Sequence, residues 1–117
     1  MKPAKLIKAI QSALTPELLQ PIWRKLATNK LSGHCYAASE ALYHLWGKEN
    51  GFKPHRIEVE DPVLGWVGHW YLAKGKRVLD ITAKQFNFKI DYSEGRGCGF
   101  LTKQPSKRAR AIMEILS

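Results

Sequence analysis

Residues 35–80, CYAASEALYHLWGKENGFKPHRIEVEDPVLGWVGHWYLAKGKRVLD, change their hydrophobic period part-way along, and that change decides the fold. In residues 35–49, Ala38, Leu42, Leu45 and Trp46 recur at helical spacing, and Gly51 follows as a stop signal. Beyond it the pattern is that of strands. His55 to Val59 alternates weakly, Trp66 to Ala73 is a run rich in aromatics, and Arg77 to Asp80 is another short run. Lys74-Gly75-Lys76 separates the last two, so an antiparallel hairpin is expected there.

Working outward, Lys2 to Leu14 places Leu6, Ile7, Ile10 and Leu14 on one helical face. Thr15-Pro16-Glu17 looks like a helix start, with Thr15 as N-cap and Pro16 in the first turn, and Pro21 restarts or kinks that segment. Residues 28–34 are loop-like, Thr82 to Phe86 is a helical turn, and SEGRGCG at 93–99 is a glycine-rich loop. Ser106 caps a last amphipathic helix through Ile112, Met113 and Leu116. Helices first and strands afterwards indicate an α+β domain, helices packed on a small antiparallel sheet.

The chain has 117 residues, 44% hydrophobic and 25% charged, which suits one globular domain over 1–117 and excludes a disordered tail. No apolar run approaches the ~20 residues of a membrane span, so no membrane partner is expected. The opening MKPAKLIKAIQSAL lacks a continuous apolar stretch and a cleavage site, so no signal peptide is expected and the location is cytoplasmic. Cys35 and Cys98 are then free thiols. With 19 basic against 10 acidic side chains, the net charge is +9. Such a surface either associates with nucleic acid or another polyanion, or is merely solvated.

Three residues form an ordered set that can carry chemistry: Cys35, His69 and Asp80. Cys35 opens the best helix, where the positive end of the macrodipole and free N–H groups favour a thiolate and can stabilise an oxyanion. His69 lies in the aromatic strand and Asp80 ends the next one across the turn. Adjacent strands bring an imidazole and a carboxylate side by side when both face one way. That is a nucleophile, a base and an orienting acid. Each residue also has an ordinary structural role, as a small buried hydrophobe, a core histidine and a turn cap. The remaining His and Cys spacings fit no zinc pattern, so neither a metal nor a cofactor is expected. Gln104 to Arg110 puts Lys107, Arg108 and Arg110 in the first turns of a helix, where cations are disfavoured unless an anion sits there. With Arg96 they form a candidate set for an anionic ligand or substrate group.

Gly33-His34-Cys35-Tyr36 at a helix start, Gly68-His69-Trp70 on a strand and Val78-Leu79-Asp80 on the next resemble the papain-like and transglutaminase-like cysteine hydrolase superfamily. More narrowly, GHCYxAxEALYHL, GHW, LDxTAxQF and GRGxGFLTxQPSxRA resemble small phage and prophage proteins, over roughly residues 29–110. The resemblance implies a minimal cysteine peptidase or amidase core, with Cys35 as nucleophile, His69 as base and Asp80 as orienting acid. It implies a peptide, amide, isopeptide or thioester substrate and, if phage-encoded, the host cytoplasm. Papain-type enzymes carry a glutamine six residues before the cysteine, and Asn29, a shorter amide, stands at that spacing as the oxyanion candidate. The rival expectation is a non-enzymatic basic protein that binds nucleic acid or a host protein.

Overall fold

Leu6, Ile7, Ile10 and Ala13 turn one side of helix α1 (Pro3–Ala13) toward the core, with Ile10 fully buried. The computed structural model describes residues 3–27, 29–86 and 88–117; the expected helix start at Lys2 and loop start at Thr28 lie outside them. A 3-10 turn at Pro16–Leu18 and helix α2 (Pro21–Leu26) follow, each beginning on its proline. Helix α3 spans Cys35–Leu42 and continues as a π turn over Tyr43–Gly47. The wider turn shifts the phase of the helix. Ala38 and Leu42 are buried as their spacing requires, whereas Leu45 is 38% exposed.

The sheet is antiparallel throughout, in the order β3-β2-β1-β4. Its longest ladder joins β1 (Lys53–Asp61) to β2 (Gly65–Lys74). At the connecting turn Asp61 Oδ1 accepts the N–H groups of Val63 at 2.8 Å and Leu64 at 2.9 Å. Gly65 supplies the positive φ of 78° that closes it. The expected 66–80 hairpin is present, with β3 confined to Arg77–Leu79. Residues 93–99 are more ordered than a loop: Arg96–Gly97 forms β4 on the outer edge of β1.

Alternation along β2 feeds two cores. Leu72 joins Ile10, Leu14, Ala38, Leu42 and Ile112 beneath the helices. Tyr71 and Ala73 join Ile57, Val59 and Ile90 on the other face, with Phe86 and Tyr92 packed against them. Gly95 turns the chain against this second core, where an added Cβ would overlap the Tyr71 hydroxyl. Gly95→Ala is therefore expected to lose about 1–3 kcal/mol of stability through overpacking, read by urea unfolding.

Helix α4 (Lys107–Leu116) closes the helical layer, and Ser106 caps it by accepting the Ala109 N–H at 3.2 Å. Glu40, fully buried on α3, accepts the Ser106 N–H at 3.1 Å. The carboxyl group of Glu40 thus occupies the N-terminal end of α4, where the sequence invites an anion. No helix among the described residues is long and apolar enough to cross a membrane.

Candidate active site

His69 pairs with Ile57 across the ladder and shares its face with Tyr71, so it points into the second core and is fully buried. Val78 pairs with Ala73, and strand alternation turns Asp80, two residues on, to that same face. His69 Nε2 and Asp80 Oδ2 lie 2.6 Å apart, with side chains 0% and 4% exposed. A carboxylate this deep needs every donor it can find. Oδ2 also accepts the Tyr92 hydroxyl at 2.6 Å, and Oδ1 accepts the Thr82 N–H at 3.2 Å. Asp80 therefore caps its own turn as well as holding the imidazole. Burial and the bond to Asp80 push the Tyr92 hydroxyl up, so it stays protonated and donates.

Because Nε2–H is committed to the carboxylate, Nδ1 is the ring atom left for a proton transfer. The partly exposed Cys35 opens α3 beside that ring, close enough to act on its proton. Burial alone would lower the His69 pKa, but the hydrogen bonds and charges of Asp80 and Cys35 outweigh it and raise the value to about 9. The three residues singled out in the sequence thus meet at one place.

A fourth side chain reaches it. Gln85 ends a 3-10 turn at Ala83–Gln85, and its Nε2 lies 2.9 Å from His69 Nδ1. The LDxTAxQF stretch contained Gln85, but no periodicity singled it out. Tyr92 was equally hidden, in an irregular segment.

Asn29 departs from the oxyanion expectation. Its Nδ2 donates to the Gln85 carbonyl at 2.9 Å and its Oδ1 accepts the Leu31 N–H at 2.9 Å, so both ends of the amide are engaged in loop structure. The four candidate cations also separate. Arg96 lies on the β4 edge and lines a groove with Arg56, Glu58, Trp66 and Glu94. Arg96 and Gly97 pair with β1, which holds Arg96 at the sheet edge. Lys107 and Arg110 are exposed on α4, while the partly buried Arg108 acts on His34 and Tyr36, the residues flanking Cys35. His34 is itself buried, and burial followed by the Arg108 charge lowers its pKa to about 4. Cys98, the other thiol, is exposed at the sheet edge, with its N–H on the Pro54 carbonyl at 3.0 Å.

The result is an α+β domain with a cysteine at a helix start, beside an imidazole held by a buried carboxylate. No family model, curated protein or solved structure matches the chain.

Proposed function

We propose that the protein is a thiol hydrolase or acyltransferase acting on an amide, isopeptide or thioester. The observation that carries this reading is the buried 2.6 Å contact of His69 Nε2 with Asp80, which leaves Nδ1 for Cys35. Cys35 Sγ attacks the carbonyl as its proton passes to Nδ1, and His69 then delivers that proton to the leaving group. Asp80 fixes the ring and offsets its charge. Water or an amine resolves the acyl-enzyme. The sequence likeness to papain-type hydrolases supports the same reading.

The test is acylation by a small activated thioester, followed by intact-mass and peptide mass spectrometry. Labelling is expected at Cys35 and not at Cys98, and His69→Ala is expected to slow it by about 10²–10⁴-fold. Equal labelling of both thiols at a rate indifferent to His69 overturns the proposal.

A second reading, a basic module for nucleic acid, is favoured by one observation. Lys8, Lys30 and Lys84 line a single groove of about 370 Å³ that has no acid in its lining. It predicts DNA or RNA binding that falls steeply with salt and is indifferent to Cys35→Ala.

A further inference from the structure

We propose that Gln85 is a positioning residue that latches the base: its amide docks on Nδ1 of neutral His69 and must leave before Nδ1 can receive the Cys35 proton. The proposal deepens the thiol-enzyme reading and rests on it for its catalytic meaning.

The orientation of the amide is fixed by its surroundings. Gln85 Oε1 accepts the Gly33 N–H at 3.2 Å, and Nε2 also donates to Thr82 Oγ1 at 3.3 Å. Turning the amide over would set its NH₂ against the Gly33 N–H and its oxygen against the Nδ1 lone pair. The Gly33 donor is itself held in place. This glycine has φ +81°, and a Cβ there would lie 2.9 Å from Leu19 Cδ2 and 3.0 Å from Trp23. Asn29 holds the Gln85 carbonyl from the other side, and the Phe86 ring packs edge-on against His69 at 5.1 Å.

Nδ1 is therefore offered a proton from the amide, and one N–H cannot face another. Asp80 and Cys35 favour a charged ring, with Tyr92 acting through Asp80, whereas a donor aimed at Nδ1 stabilises the neutral one. Docking of the amide and charging of the ring exclude each other. In the proton transfer the Cys35 S–H bond breaks and a His69 Nδ1–H bond forms, while Gln85 gives up its contact. Gln85 also lines, with Asn29, Val63, Lys84 and Phe86 among others, a groove of about 210 Å³. A substrate carbonyl that competes for the Gln85 N–H groups releases the base as it arrives.

Two variants separate the latch from a merely structural role. Gln85→Met keeps an unbranched side chain and removes the donor. Gln85→Glu keeps an acceptor for Gly33 and replaces the donor with a second acceptor. Alkylation of Cys35 by iodoacetamide, followed by mass spectrometry, is expected to run about twofold faster in Gln85→Met near pH 9, where a large share of the His69 rings is neutral and can hold the amide. That gain should vanish in a His69→Ala background. Ring ¹⁵N chemical shifts should show His69 titrating at higher pH in both variants, most strongly in Gln85→Glu. A folded Gln85→Met protein with unchanged or slower alkylation overturns the latch, as does an unchanged His69 titration in Gln85→Glu. Neither readout needs a substrate, so failure of the hydrolase reading in the acylation test leaves this result interpretable.

Discussion

Asp80→Ala is expected to lose about 3–5 kcal/mol of folding stability, the scale seen when one partner of a buried ion pair is removed. Three donors converge on this carboxylate: His69 Nε2, the Tyr92 hydroxyl and the Thr82 N–H. Truncation leaves His69 and Tyr92 facing a space that offers neither an acceptor nor bulk water. Each buried group left unpaired in this way costs about 1–3 kcal/mol. Asp80→Asn keeps the volume and one acceptor, so it should fall between the wild type and the alanine variant while losing the charge that favours a protonated His69. Urea unfolding of the three proteins at one pH measures the series. A loss below 1 kcal/mol for Asp80→Ala would mean that the pair carries no net stability. The same substitution should remove the His69-dependent part of Cys35 acylation, because an unanchored imidazole no longer presents Nδ1 to the thiol.

Parts of this arrangement were legible in the sequence because they lie on periodic elements. The 66–80 hairpin sets the register of β2 and β3, and alternation then places His69 and Asp80 on a common face. Cys35 was legible as the first residue of a helix. What stayed hidden lies where the period fails. The π turn at Tyr43–Gly47 rotates Leu45 to the surface, which no hydrophobic pattern announces. Weak alternation marks only 55–59 as a strand, whereas β1 runs 53–61 up to the Asp61-Pro62 corner. Gln85 and Tyr92 reach the site from short 3-10 turns, and their roles depend on how those turns are laid across the sheet. Asn29 shows the limit of spacing as evidence: six residues before a cysteine fixes separation along the chain but not direction. The local bond to the Leu31 N–H turned its amide into the loop. Glu40 reads as one polar residue on an apolar helix face until α4 is placed against it.

The pH dependence of stability should form a dome with its top near pH 6.5, closed from opposite sides by two buried histidines. His34 has its pKa lowered to about 4 by burial and then by Arg108. Between pH 6.5 and 4 the unfolded chain binds a proton at His34 that the folded protein refuses, so stability falls as the pH drops. His69 behaves in the opposite sense. Its folded pKa is raised to about 9 by Asp80 and Cys35 despite burial, so its contribution is complete below pH 6.5. That contribution is lost as the pH rises toward 9, where the folded state no longer binds more protons than the unfolded one. Each shift corresponds to a limb on the order of 3 kcal/mol. Urea unfolding from pH 4 to pH 10 measures both limbs, and variants assign them. His34→Leu should flatten the acid limb alone and Asp80→Asn the alkaline limb alone, while Gln85→Met should carry the alkaline limb to higher pH. Stability that climbs steadily from pH 6 to pH 9 would show that His69 does not keep its proton in the folded state, and the Asp80–His69 pair would then hold a neutral imidazole.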